Sequence, residues 1–128
     1  MTLDLRSALD VAEGAAREAG EILRRDLHRA GGPRGHVDKA DADLEAEHAI
    51  RARLGAARPQ WGFLGEETGA HPAPSPGPWW VVDPNDGTRD YLRGRRGSAV
   101  SIGLVSEGVP RLGVVFAFAY PDGEGDLF

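Results

Sequence analysis

The amino-acid sequence predicts an α+β fold, with two N-terminal helices packed on a mainly antiparallel sheet, and three observations carry that prediction. Residues 4–29 and 41–55 space their apolar side chains as helices do. Two short apolar runs, in Trp61 to Thr68 and Trp79 to Val82, have the bulky and β-branched composition of buried strands. From Ala99 onward apolar and polar residues alternate, the pattern of strands with one buried face.

Each element follows in order. In the first helix Leu5, Ala8, Leu9, Ala12, Ala16, Ala19, Ile22, Leu23 and Leu27 form one apolar stripe. The segment GGPRG, residues 31–35, breaks it. Arg34 and Lys39 are the basic residues of this neighbourhood, and a solvated turn accounts for them as well as a ligand does. The second helix starts with Asp41 or Asp43 as N-cap and turns Leu44, Ile50 and Leu54 inward, which leaves Glu45 and Glu47 as solvated helix charges. His28, His36, His48 and His71 lack the paired spacing of metal ligands and read as surface residues. Residues 69–78, GAHPAPSPGP, read as an irregular connection with polyproline character. Arg89, Arg93, Arg95 and Arg96 read as a solvated basic turn, with contact to a second anionic group of a ligand as the alternative. Val100, Ile102 and Leu104, then Leu112, Val114, Phe116 and Phe118, make the two arms of a hairpin around SEGVP. PDGEGD turns the chain again, and the last residues resemble the start of a strand.

Composition narrows the function classes. A length of 128 residues suits one domain. The net charge of −5 argues against nucleic-acid polymers as partners. Without cysteine there is neither a disulfide framework nor a thiolate site. No signal peptide or membrane-length apolar run is present, so the expectation is a cytoplasmic protein with no membrane partner.

The chemistry concentrates in WWVVDPNDGTRDY, Trp79 to Tyr91, where an apolar strand runs into Asp83 and Asp86. Pro84 keeps Asp83 out of the helical region and predicts a sharp turn that lets both carboxylates converge. Carboxylates forced together repel unless a cation or a proton lies between them. Oxygen donors without Cys or a neighbouring His suit Mg²⁺, or Mn²⁺, over Zn²⁺. Gly87 permits close backbone approach, and the Gly87 and Thr88 N–H groups would meet an anion if a helix opens there. A plain Asp-Pro, Asp-Gly turn uses the same residues without chemistry. WGFLGEET adds weight, because a second strand ending in Glu66 and Glu67, if adjacent, joins Glu66 to Asp83 and Asp86. Such a cluster fits two or more Mg²⁺ ions about 3.5–4 Å apart, as in phosphoryl hydrolysis.

In GEE (Gly65 to Glu67), DPNDGT (Asp83 to Thr88) and KADADLEAE (Lys39 to Glu47) the chain resembles the inositol monophosphatase-like Mg²⁺-dependent phosphatases. The resemblance covers essentially all of the chain but only about the first half of such an enzyme. It implies the N-terminal half of that family's layered α/β sandwich, apparently truncated at the C-terminus, and a small phosphorylated alcohol as substrate: an inositol phosphate, histidinol phosphate or nucleoside 3′,5′-bisphosphate. It further implies Glu66, Asp83 and the Asn85 carbonyl as ligands of one metal, and Asp83 and Asp86 as ligands of a second. Gly87 and Thr88 match the phosphate-binding backbone, and Thr88 paired with Asp41 matches the group that orients the attacking water. Asn85 departs from the family, where an aliphatic residue is usual, and Arg89-Asp90-Tyr91 departs from the inositol branch. Since a later Asp of the family completes the second metal site, the alternative is a catalytically incomplete half-domain that binds Mg²⁺ or an anion, or pairs with a second polypeptide. A homodimer is compatible with either.

Overall fold

The computed structural model describes residues 3–36, 39–94, 97–118 and 125–128. Helix α1, Leu5–Leu27, is capped by Asp4, whose side chain accepts the Ser7 N–H at 3.1 Å. Its buried stripe is mostly alanine: Ala8, Ala12, Ala15, Ala16 and Ala19. Such small side chains bring the helix close to what lies beneath, and at Gly20 an added Cβ would run into the Phe116 ring. Two short antiparallel strands, β1 (Gly35–His36) and β2 (Lys39–Ala40), lead into helix α2, Asp41–Ala57.

The remaining strands are β3 (Gly62–Gly65), β4 (Gly69–His71), β5 (Trp79–Asp86), β6 (Ala99–Ser106), β7 (Val109–Ala117) and β8 (Asp126–Leu127), with the short helix α3, Thr88–Leu92, between β5 and β6. They form one sheet in the order β4-β3-β5-β6-β7-β8. Every neighbouring pair is antiparallel except β3 and β5, which run parallel. The predicted α+β class and the β6–β7 hairpin are therefore borne out. The one parallel pair joins the two strands that end in carboxylates, so both acidic ends emerge at the same edge.

Both helices lie on one face of the sheet, α1 against β6 and β7, and α2 against β5. Between the layers sit Leu23, Ile50, Leu54, Trp80, Ile102, Leu104 and Phe118, each fully buried. The opposite face carries Leu64, Val81 and Val115, with about two-fifths of each exposed (42%, 40% and 40%). Among the described residues no helix is long and apolar enough to cross a membrane.

Four expectations need correction. Ala40, not Asp41 or Asp43, is the N-cap of α2, and it makes no side-chain capping bond. Leu44 is 46% exposed because the inward face of α2 runs through Ala42, Asp43, Ala46, Glu47, Ile50 and Leu54. Residues 69–71 pair with β3 as a strand, within the stretch read as irregular. The chain also does not turn sharply at Pro84: β5 continues to Asp86, and the ladder to β6 shifts register between Asp83 and Asp86. Proline has no N–H to give the ladder, and the bulge absorbs the gap. Arg95, Arg96 and most of the PDGEGD turn lie outside the described residues.

Candidate active site at the strand ends

The parallel register aligns Gly65 with Val82, and the Glu66 N–H donates to the Val82 carbonyl at 3.1 Å. Glu66 and Asp83 thus leave adjacent strands side by side. A hydrogen bond shared with Asp83, reinforced by partial burial and by the Asp83 charge, pushes the Glu66 carboxyl up to about 7. A hollow of about 390 Å³ lined by Leu64, Gly65, Glu66, Val81, Val82, Asp83 and Ser101 opens beside them.

Beyond Asp83 the irregular stretch of β5 brings the Asn85 N–H onto Asp83 Oδ1 at 3.1 Å. Asp86 follows on the exposed side, opposite Ala99 of β6. Gly87 adopts a φ of 93° at the start of α3, and a Cβ there would lie 2.9 Å from the Gly97 carbonyl oxygen, so both the conformation and the packing require glycine. Among the described residues no three carboxylate or imidazole side chains are gathered as one metal shell. What the structure brings together is the Glu66–Asp83 pair, with the Asn85 backbone next to it.

The Thr88 hydroxyl lies 2.8 Å from the Asn85 carbonyl oxygen and 3.1 Å from Asp43 Oδ2. Its carboxylate partner is Asp43, not the expected Asp41. Residues two apart on an α-helix point roughly 200° apart, so once Asp43 faces the sheet Asp41 must face away. Asp43 is accordingly 3% exposed, whereas Asp41 is exposed. Burial raises the Asp43 pKa, and hydrogen bonds from Asn85 and Thr88 oppose that rise. The Asn85 amide supplies one of them, Nδ2 to Asp43 Oδ1 at 2.8 Å.

Glu47, expected as a solvated charge, is fully buried. Its Oε1 accepts the Glu67 N–H at 2.9 Å and its Oε2 the Thr68 N–H at 2.6 Å, which fixes the turn that carries Glu66. A Cβ at Gly65 would collide with that carboxylate, which explains the glycine of GEE. The signal was available: Asp43, Glu47, Ile50 and Leu54 follow the i, i+4, i+7, i+11 spacing of a single helix face. His71 is half-buried, its Nε2 2.9 Å from Thr68 Oγ1 and its ring 5.8 Å from that of Phe63, so it is not the surface residue expected.

A second network anchors α3. The Tyr91 hydroxyl lies 2.9 Å from the Leu23 carbonyl and 2.7 Å from Asp26 Oδ2, and the buried Asp26 accepts Arg34 Nε at 2.7 Å. Burial and the neighbouring Asp26 push the Tyr91 pKa up. Arg34 is therefore engaged with α1 and is not a free cation of a solvated turn.

The arrangement defines a class: a helix-backed sheet whose parallel strand pair delivers carboxylates beside a threonine hydroxyl held by a buried aspartate. Residues 4–125 match the inositol monophosphatase family, and the chain belongs to that family. It is 36% identical over 115 residues to a histidinol-phosphatase of Chlorobaculum parvum, covering 90% of this chain and 44% of that protein. With an inositol-1-monophosphatase of Caulobacter vibrioides it shares 34% identity over 125 residues, 97% of this chain and 46% of the relative. The crystal structure of the extragenic suppressor protein suhB from Bartonella henselae superposes with a TM-score of 0.80 at 34% identity, over 88% of this chain and 45% of that one. The chain spans under half the length of these relatives.

Proposed function

We propose that the protein carrying this chain is a Mg²⁺-dependent phosphomonoesterase that hydrolyses a small phosphorylated alcohol with an activated water. The observation that carries this reading is the parallel register that sets Glu66 beside Asp83, with the Glu66 N–H on the Val82 carbonyl, an arrangement in which Asp83 favours a proton on the Glu66 carboxyl. A divalent cation is the natural replacement for that proton, and oxygen donors alone favour Mg²⁺, with Mn²⁺ as a substitute. Glu66, Asp83 and the Asn85 carbonyl would hold one ion, and Asp83 with the exposed Asp86 would contribute to a second. The carbonyl has two lone pairs, so accepting from Thr88 does not disqualify it. When bound, the metal supplies Lewis acidity at the phosphate and acidifies water.

The chain's own residues supply the rest. The single Thr88 hydroxyl proton lies between Asp43 and the Asn85 carbonyl, and passing it to Asp43 lets the Thr88 oxygen take a proton from the attacking water. The Gly87 and Thr88 backbone N–H groups would receive the phosphate. The relatives' names put inositol-1-phosphate and histidinol phosphate first among candidate substrates, and Arg89-Asp90-Tyr91 leans toward the histidinol or nucleotide branch. The absence of a three-carboxylate shell among the described residues favours one second reading, a half-site that binds metal or anion and needs further chain to turn over.

The test is phosphate release from inositol phosphate, histidinol phosphate and adenosine 3′,5′-bisphosphate, with Mg²⁺ and with chelator, alongside the Asp86→Asn variant. Mg²⁺-dependent release lost in the variant supports the enzyme. Unchanged release in Asp86→Asn overturns the metal assignment, and silence with Mg²⁺-dependent thermal stabilisation supports the half-site.

A further inference from the structure

We propose that the Asn85 side chain is a positioning residue that clamps the Asp43 carboxylate, so that Oδ2 faces the Thr88 hydroxyl. The inference rests on the phosphomonoesterase reading for its catalytic consequence, but its geometry stands apart from it. Asn85 is 3% exposed and directs Nδ2 at Asp43 Oδ1, 2.8 Å away. The other carboxylate oxygen is the one that meets Thr88, at 3.1 Å. A carboxylate is free to rotate about its χ2 torsion. A fixed donor on one oxygen removes that freedom and fixes the direction of the other.

The same residue meets Thr88 from the second side, since the Asn85 carbonyl is the hydroxyl's other acceptor at 2.8 Å. Side chain and main chain of one residue therefore set both acceptors between which the threonine proton is placed. That proton can serve only one of them fully. The orientation of Asp43 decides whether the carboxylate competes for it.

This arrangement has a cost that argues for a function. Asn85 Oδ1 is buried without a hydrogen-bond partner. An aliphatic side chain of similar size would leave no orphaned amide oxygen but would strip the buried Asp43 Oδ1 of this donor, so the reason for the amide is that hydrogen bond and not packing. What only the amide provides here is a donor to Asp43.

The test compares Asn85→Leu with the unaltered protein. Loss of a hydrogen bond to a charged group predicts a fall in kcat of roughly 10- to 100-fold with KM nearly unchanged. In a Thr88→Ala background Asn85→Leu should cost nothing further, because it acts through Thr88. Full turnover in Asn85→Leu, or an equal additional loss in the Thr88→Ala background, overturns the proposal. Should Asn85→Leu not fold, Asn85→Ala removes the amide without adding bulk and carries the same expectations. NMR supplies a readout independent of turnover: the Asn85 carbonyl still accepts from Thr88 in the variant, so the Thr88 hydroxyl resonance should persist but shift as Asp43 ceases to compete for the proton. If no substrate releases phosphate, the enzymatic reading fails by itself, and an unmoved Thr88 hydroxyl resonance in Asn85→Leu then overturns the clamp.

Discussion

At the scale of single residues, the site is held by buried polar groups whose partners are specific. Gly65 shows how narrow the tolerance is. Adding a methyl group there drives it into the Glu47 carboxylate, which already accepts two backbone N–H groups from the turn bearing Glu66. We expect Gly65→Ala to cost about 1–3 kcal/mol, the usual price of overpacking, read as a lowered urea midpoint. Glu66 gives a pH dependence. Its pKa in the folded, metal-free chain is raised to about 7 by Asp83, against an ordinary value of 4.5. Between those values the folded chain binds more protons than the unfolded one, so stability should fall as pH rises from about 4.5 through about 7. Glu66→Gln should flatten that slope in chelator, as should saturating Mg²⁺ in the unaltered chain; a slope unchanged in Glu66→Gln would locate its origin elsewhere.

At the scale of elements, α3 is too short to be stable by its own hydrogen bonds, having five residues. Its place is set by Tyr91, which reaches past it to the Leu23 carbonyl and Asp26 of α1 and packs its ring 6.1 Å from that of Phe118. Tyr91→Phe keeps the ring and deletes the hydroxyl. We expect a loss of about 1.5–3 kcal/mol, as for a hydrogen bond to a charged acceptor, measured by thermal or urea unfolding. Because Thr88 opens the same helix, amide exchange across residues 88–92 should accelerate in that variant ahead of exchange in β6.

At the scale of the whole molecule, two helices cover one face of a six-stranded sheet, and β6 is flanked by β5 and β7. Leu104 of β6 is fully buried. Leu104→Ala should therefore cost about 2–5 kcal/mol and reduce the cooperativity of unfolding only if the helices detach separately from the sheet. Calorimetric and spectroscopic transitions that still coincide in this variant would show that helices and sheet unfold together.

The sequence by itself determined the main elements and where the acidic segments lie. Apolar spacing marked α1, α2 and the β6–β7 hairpin, and the short apolar runs before Glu66 and Asp83 marked the strands that end in acids. These are legible because period and composition are local properties. Tertiary structure decided which carboxylate faces which partner. Helical spacing puts Asp43, unlike Asp41, on the face of Ile50 and Leu54, but only the packing of α2 on β5 supplies Asn85 and Thr88 as its partners. Glu47 lies on that same face, but its partners exist only once the turn after β3 presents two N–H groups to it. The parallel pairing of β3 and β5 joins segments separated by β4 and its following loop, and no local pattern encodes it. The physical reason is common to all three: side-chain direction and long-range pairing are settled by where apolar surface is buried across the whole chain, and a buried charge finds its partners only after that burial is complete.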